Sequence, residues 1–312
     1  MMEMMTENSL KRLNSGCVRN LVLLLLLISG SATAGWWIGK AWIDRSRPTP
    51  AYRPAFTAGD PAAPSTESQQ EWQDRAKIRA RRSELGIDSQ FFRLLVDETL
   101  TIQYPDLGDD AAEKRRKRSL VSLELLDRLA VLDGAILREL GTYGAEQRRE
   151  WRKAVNELHL GSQTLYDLAD GGFFAFFPEV TDRPSFDRPL GQVWSAFAVS
   201  RLQSLQSGSS YRKIETLTES GQEIIEGSLT KGAGNAYSID LRSGRNLTVN
   251  LSTDGDVTIS LYSPTGSVKL LENSSDRQWS GQLSEDGFYE LIILSKSATP
   301  ITFRLDLQVA KP

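Results

Sequence analysis

The final third of the chain is a series of short alternating strands, and this pattern constrains the fold more than any other feature. Apolar residues recur at every second position, which places one face of each strand in a core and the other in water. The segments with this pattern are 237–242, 247–251, 257–261 and 303–309. Turn residues such as Asp254-Gly255 separate them. The spacing predicts an antiparallel β-sandwich, jelly-roll-like, over residues 216–312 with about eight strands.

The same region carries a fixed order of short motifs that resembles a known family. The motifs are Gly227-Ser228-Leu229, Gly234-Asn235-Ala236-Tyr237, Ser243-Gly244-Arg245-Asn246-Leu247, Leu261–Gly266 and Leu283–Tyr289. In this order they resemble the bacterial pre-peptidase C-terminal domain over most of residues 221–309. The resemblance implies a non-catalytic β-sandwich of exported proteins, and therefore an extracytoplasmic accessory or binding domain. Asn235 stands where that family usually has Asp, which puts in doubt any cation site attributed to related domains.

Near the other end, residues 21–38 form an almost uninterrupted apolar run after three basic residues. About twenty such residues cross a hydrocarbon core of about 30 Å, so the sequence predicts a signal-anchor helix over residues 21–43 behind a cytoplasmic segment, 1–20. The alternative is a signal peptide cleaved near Ala34, because Ala32-Thr33-Ala34 is a small-residue cleavage pattern. The expected location is a single-pass membrane protein with most of the chain extracytoplasmic, or a protein secreted after cleavage.

Between these ends the sequence predicts a linker and a helical domain. Residues 44–68 contain five prolines and no periodic apolar face, which indicates a semi-extended tether. Residues 69–215 carry apolar stripes at helical spacing and predict a bundle of about five or six helices, with Asp88 as an N-cap and Pro189 opening the last helix. The predicted fold class is α+β, with the helical bundle and the β-sandwich as separate domains.

Part of the helical region resembles a second family. The segments Leu165-Tyr166-Asp167-Leu168, Phe173–Pro178 and Pro189–Trp194, which follow Trp151, resemble a stretch found downstream of the catalytic domain in some cyanobacterial-type serine/threonine kinases. The chain itself has no glycine-rich nucleotide loop, no H-R-D loop and no D-F-G triplet. It also lacks the G-x-S-x-G and H-E-x-x-H motifs, so no catalytic residue is predicted.

Three features of the helical region each have two interpretations. His159, the only histidine, follows a helix-forming run and is predicted to complement the negative end of that helix, with a metal or general-base role as the alternative. The basic run Lys114–Arg118 is either a solvent-exposed helix start or a binding site for anionic lipid or nucleic acid. Four aromatic residues either pack in the core or form a partner-binding patch. These are Phe173, Phe174, Phe176 and Phe177.

Acidic residues on the predicted turns of the β-sandwich are weak candidates for calcium ligands. Carboxylate oxygens are the ligands that calcium prefers, although Asp-Gly is also turn chemistry in its own right. The candidates are Asp254, Asp256, Asp276, Glu285 and Asp286. No other cofactor is predicted.

Charge and motifs together limit the predicted function. A formal net charge of −3 gives no general attraction to nucleic acid. The sequence predicts a membrane-tethered extracytoplasmic binding or scaffold protein without catalytic activity, which contacts the membrane through its first helix and a protein or envelope polymer through its folded parts. The alternative is an unrecognised carboxylate-dependent hydrolase with an interdomain site, which requires convergent acids in a pocket.

Overall fold

Helices precede strands in the part of the protein that the computed structural model describes, residues 66–217 and 220–311. The helices are α1 (Thr66–Glu84), α2 (Ser89–Gln103), α3 (Ala111–Leu129), α4 (Gly134–Arg138), α5 (Ala145–Asn156), α6 (Ser162–Phe176) and α7 (Pro189–Gln206). The strands are β1 (Tyr211–Ile214), β2 (Gly221–Leu229), β3 (Gly234–Leu241), β4 (Asn246–Thr253), β5 (Val257–Tyr262), β6 (Lys269–Ser274), β7 (Gln278–Gln282), β8 (Gly287–Ser295) and β9 (Ile301–Ala310). This composition confirms the α+β class.

Local sequence signals set the helix starts. Asp88 caps α2, as predicted, because its side chain accepts hydrogen bonds from the backbone N–H groups of Gln90 and Phe91, both at 2.8 Å. Asp110 caps α3 by the same interaction. Pro189 opens α7, where its missing N–H has no intrahelical partner to lose.

The strands form two sheets, and one pairing differs from the prediction. The five-stranded sheet has the order β1-β3-β8-β5-β6 and the four-stranded sheet the order β2-β9-β4-β7. Strand β1 pairs with β3 in parallel, with Tyr211 opposite Ala236. Because β1 lies in a segment predicted to be helical, the sequence analysis missed it. The larger sheet is therefore mixed rather than purely antiparallel.

Both sheets contribute to one hydrophobic core. In β9 every second residue from Ile301 to Val309 is buried, which is the alternation that the sequence predicts. Leu247, Val249 and Leu251 of β4 bury the same face of the four-stranded sheet. Ile239 and Ile293 add to this core from the five-stranded sheet.

The second face of the five-stranded sheet is covered by helices, contrary to the prediction that it faces water. Ser238 and Ser260, both expected in water, are 0% and 1% exposed. Strand β8 is buried at each position from Leu291 to Leu294, which is typical of a strand covered on both faces. The sheet residues that belong to the helical core are Ala236, Tyr262, Ile292 and Leu294. The physical reason is that α6 and α7 need an apolar surface to bury their own apolar faces.

The predicted location, a single-pass membrane protein, is contradicted. Among the described helices, none is long and apolar enough to cross a bilayer. Helices α1 and α3, each of 19 residues, carry charged side chains along their length. The predicted segments 1–20 and 21–43 lie outside the described residues, as does most of the predicted linker 44–68, whose end is already the start of α1.

The burial of β4 yields a test of strand register. Val249 is 1% exposed in the core, so Val249→Asp should lower the free energy of unfolding by about 3 kcal/mol or more. Thr248 lies on the opposite face, where its hydroxyl oxygen is 2.9 Å from that of Ser280, and Thr248→Asp should change stability by less than about 1 kcal/mol. Urea unfolding measures both. Equal losses would show that the register is misassigned.

Candidate functional site at the helix–sheet interface

Two buried carboxylates accept hydrogen bonds across the interface between α6 and the five-stranded sheet. One carboxylate belongs to the helix and the other to the sheet. Asp167 of α6 accepts a hydrogen bond from the Tyr262 hydroxyl of β5, with 2.5 Å between the oxygens. Glu290 of β8 accepts a hydrogen bond from the Thr164 hydroxyl of α6. Asp167 and Glu290 are 2% and 7% exposed. Asp167, Thr164, Tyr262 and Glu290 are named the interface cluster below.

The backbone geometry of both elements brings the interface cluster together. Thr164 and Asp167 are three residues apart and therefore share one face of α6. Tyr262 and Glu290 are directly opposite each other in the antiparallel pairing of β5 with β8. A neighbouring pair on the helix thus meets a neighbouring pair on the sheet. Gln163 adds a further hydrogen bond, from its side-chain amide to Asp167 at 2.7 Å.

Burial controls the electrostatics of these acids. Burial raises the pKa of Asp167, against the opposing effect of its hydrogen bonds from Tyr262 and Gln163. Burial also raises the pKa of Glu290, although Thr164 and the backbone N–H of Gly161 stabilise its ionised form. Within the described part of the chain neither carboxylate forms a salt bridge. Both acids therefore hold a proton more tightly than an exposed carboxyl does.

The next acid on α6 provides a contrast. Asp170 accepts hydrogen bonds from the Arg183 guanidinium at 3.0 and 2.6 Å and from the Trp194 indole at 2.6 Å. A bidentate guanidinium neutralises a carboxylate more fully than hydroxyl groups do. The unneutralised charge at this interface is therefore concentrated on Asp167 and Glu290.

A groove open to solvent lies above the interface cluster, between the α5–α6 connection and the β5–β6 turn. It consists of two adjoining cavities of about 410 Å³ each, which share Asn156, Gly161, Pro264 and Glu290. Phe288 lines one cavity and Gln163 the other. Because Glu290 lines both cavities, this residue belongs both to the interface cluster and to the lining of the groove. This is named the interface groove below.

His159 lies at one edge of the interface groove. Helix α5 ends at Asn156, and the backbone N–H of His159 donates to the Asn156 carbonyl at 3.0 Å. The residue has a left-handed backbone, φ 55°, and its ring stacks on Phe288 with 4.1 Å between centroids. The position just beyond a helix end agrees with the prediction. Within residues 66–217 and 220–311, no three His, Cys, Asp or Glu side chains are grouped to hold a metal ion.

The four phenylalanines of the predicted patch lie at the end of α6, in the helical core. Phe173 and Phe177 are 0% exposed, and their rings stack at 4.9 Å between centroids. Phe174 and Phe176 are partly buried against the same core. The complete burial of Phe173 and Phe177 agrees with core packing. Of these four rings, only those of Phe174 and Phe176 are partly exposed to solvent.

Four of the five predicted calcium candidates accept hydrogen bonds from groups of the protein. Asp254 accepts from the backbone and hydroxyl of Thr302 at 2.7 and 2.9 Å, and these bonds lower its pKa. Glu285 and Asp286 are neighbours in the turn before β8, whereas Asp256 and Asp276 lie in two other loops. Asp286 accepts from the Ser243 backbone, Glu285 from Thr265 and Ser267, and Asp276 from Ser274, while Asp256 precedes β5.

Helix α5 carries a cationic surface that was not predicted from the sequence. Arg149, Arg152 and Lys153 are exposed on one face of the helix and line an open cavity of about 630 Å³ together with Asn156 and Glu157. The signal that would have found them is the i, i+3, i+4 spacing of basic residues, which marks one face of a helix. These three residues are named the α5 basic face.

The chain is similar in sequence to one kinase-like protein. No family model matches the chain. The "Serine/threonine-protein kinase-like protein E" of Synechocystis sp. (strain ATCC 27184 / PCC 6803 / Kazusa) is 30% identical over 316 residues, which cover 94% of this chain and 50% of that protein. The chain thus spans about half the length of this curated relative. This similarity is consistent with the resemblance of residues 151–207 to a kinase-associated stretch.

Similar solved structures match only about a third of the chain. A periplasmic inhibitor of g-type lysozyme, PliG from Aeromonas hydrophila, is 15% identical and has a TM-score of 0.28, covering 32% of this chain and 98% of that one. PliG from Salmonella Typhimurium is 19% identical with a TM-score of 0.26, over 32% and 98%. The pre-peptidase C-terminal domain of collagenase from Bacillus anthracis is 15% identical with a TM-score of 0.26, over 31% and 93%.

The raised pKa of Asp167 predicts the sign of a pH effect. A carboxyl whose folded pKa lies above its unfolded value lowers stability as pH rises through the window between the two values, starting from about 3.9. Asp167→Asn removes this penalty at similar shape. The free energy of unfolding of the variant, relative to wild type, should therefore increase from pH 3 to the raised folded pKa and then level off. Urea unfolding at several pH values measures it.

Asp254→Asn is the matched control with the opposite sign. Because hydrogen bonds lower the folded pKa of Asp254, its contribution to stability is present above the ordinary carboxyl pKa and is lost as pH falls through the folded value. This variant should lose stability relative to wild type as pH rises. A pH-independent difference for Asp167→Asn would contradict the assignment of a raised pKa.

The backbone of His159 predicts an order of stability among variants. His159→Ala loses the stack on Phe288 and keeps a left-handed conformation that costs an L-residue about 1 kcal/mol, whereas His159→Gly loses the stack only. The glycine variant should be the more stable of the two by thermal unfolding. The reverse order would indicate that this segment is not left-handed in solution.

Proposed function

We propose that this chain is a non-catalytic binding module that holds a protein partner in the interface groove. The observation that carries the proposal is that the acid at the groove floor, Glu290, and the acid buried below it, Asp167, accept hydrogen bonds from donors of the protein itself. Glu290 accepts from Thr164, and Asp167 accepts from Tyr262 and Gln163. A general acid or nucleophile must direct its oxygen at a substrate, whereas these oxygens are directed into the helix–sheet interface.

The sequence motifs favour contact over phosphoryl transfer, although the relative is named kinase-like. That protein is named kinase-like, and this chain aligns with about half of it. The residues that carry kinase chemistry, a glycine-rich loop with H-R-D and D-F-G triplets, do not occur in the sequence. The proposed role is therefore to bind a partner protein rather than to transfer a phosphoryl group.

The strand region fits the same role. Its two sheets share one hydrophobic core, which supports the β-sandwich interpretation, and its motif order resembles the pre-peptidase C-terminal domain over residues 221–309. That resemblance implies an accessory domain without catalysis. In this chain one sheet is also the platform on which the helices pack, so helices and sheet together build the groove.

A groove-blocking variant tests the proposal. Thr265 is exposed and lines the interface groove, so Thr265→Arg introduces a long cationic side chain there, with the loss of the 2.6 Å contact between the Thr265 and Ser267 hydroxyls. Thr101→Arg, at an exposed position of α2, is the matched control. Proteins captured from source cells by wild type should also bind Thr101→Arg and should fail to bind Thr265→Arg. The proposal fails if capture is the same for all three proteins.

A second candidate function is a carboxylate-dependent hydrolase with its site between helices and sheet. The specific observation in its favour is that Asp167 and Glu290 come from different elements, converge below one groove and both have a raised pKa, as a general acid requires. Glu290 also reaches the groove.

The test of the second candidate is turnover. Wild type and Glu290→Gln are compared on glycosides, peptides and phosphate esters, after unfolding curves show that both are folded. Hydrolysis by wild type that falls at least about 100-fold in Glu290→Gln would establish the enzyme. The binding proposal expects no turnover by either protein.

A further inference from the structure

The α5 basic face is a row of three cations without acidic partners in the described residues. Arg149, Arg152 and Lys153 are exposed, and none of them forms a salt bridge there. Their spacing aligns them along one side of the helix. From residue 149 to residue 153 the three cations extend over about 6 Å of the helix axis, which equals about two residues of extended peptide.

The basic run predicted from sequence is different, because most of its charges are already engaged. Lys114 pairs with Asp109 at 2.9 Å, Arg118 with Asp97 at 2.5 Å, and Arg115 approaches Glu71 at 3.7 Å. Lys117 lies over the Tyr104 ring at 4.3 Å. A longer run of basic residues therefore presents less available charge than the shorter α5 basic face.

The α5 basic face continues into the interface groove. Asn156 lines the cavity beside the three cations and also both cavities of the groove. The charge changes at this junction, since Glu157 lies next to Asn156 and Glu290 lies at the groove floor. Lys269 also lines the groove, but it pairs with Glu272 at 2.5 Å. A ligand that follows this path needs negative charge over α5 and none at the groove, where the Asn156 and Gln163 amides can bond a peptide backbone.

We propose that an acidic peptide segment of a partner protein binds here, with its carboxylates along the α5 basic face and a neutral continuation in the interface groove. The inference rests on the proposed function and specifies its partner. A uniform polyanion such as single-stranded DNA or an anionic lipid surface complements the site less well, because its charge would continue onto Glu157 and Glu290. The peptide alone can change from charged to neutral at Asn156.

The probe is a fluorescein-labelled peptide of three glutamates followed by Ser-Gly-Ser-Gly, and its control carries three glutamines instead. Fluorescence anisotropy should show that wild type binds the glutamate peptide at least about tenfold more tightly than the glutamine peptide at low salt, with affinity falling as salt rises. The triple variant Arg149→Ser, Arg152→Ser, Lys153→Ser should lose about tenfold in affinity or more.

A variant with the same loss of charge controls for net charge. Arg115→Ser, Arg116→Ser, Lys117→Ser should keep affinity within about twofold of wild type. The inference is overturned if this control weakens binding as much as the α5 variant, if both peptides bind alike, or if an oligothymidylate or anionic vesicles compete better than the glutamate peptide. If a captured partner depends on Thr265 but not on the α5 basic face, the inference fails and the proposed function stands.

Discussion

The reciprocal hydrogen bonds of the interface cluster determine how helices and sheet fit together. Two carboxylates without a cationic partner in the described residues are buried there, and a buried acceptor left without a donor costs about 1–3 kcal/mol. Thr164 and Asp167 are three residues apart on α6, whereas Tyr262 and Glu290 face each other across β5 and β8. A shift of the helix by one residue would remove donors from both acids at once. The cluster therefore fixes the register of α6 on the sheet, and hence the position of the groove above it.

The buried face of a strand could be predicted where it follows from the strand's own sequence. It could not be predicted where an element distant in sequence covers the other face. In β9, Phe303 and Leu305 alternate with polar residues, so the buried face follows from the strand alone. In β3, Ser238 has the same alternating pattern but is buried because helices cover its face. The unbroken apolar run of β8 contained this information, since a strand with one wet face has no reason to be apolar at successive positions. The same holds for α7, whose buried residues lie on more than one face.

The candidate site was less predictable because its residues are ordinary in sequence. Asp167 stands between Leu165 and Leu168, and an acid flanked by apolar residues in a helix is a signal of a buried carboxylate. Glu290 is the corresponding polar residue in β8. Neither residue belongs to a catalytic motif, and their meeting depends on a packing that no spacing encodes. The α5 basic face has a spacing signal, but the contiguous run at Lys114 is more conspicuous, although salt bridges engage much of it.

The location of the cluster connects stability with function. Acids kept at a raised pKa destabilise the folded protein at neutral pH, and a hydrophobic pair of similar volume would pack there at lower cost. Departures from the most stable arrangement are expected at functional sites, where selection acts on more than stability. Here the departure lies directly below the groove, and Glu290 is both a member of the cluster and part of the groove lining. A ligand that contacts Glu290 therefore contacts the residue that holds helix and sheet in register, which makes this interface the point where binding can affect the rest of the fold.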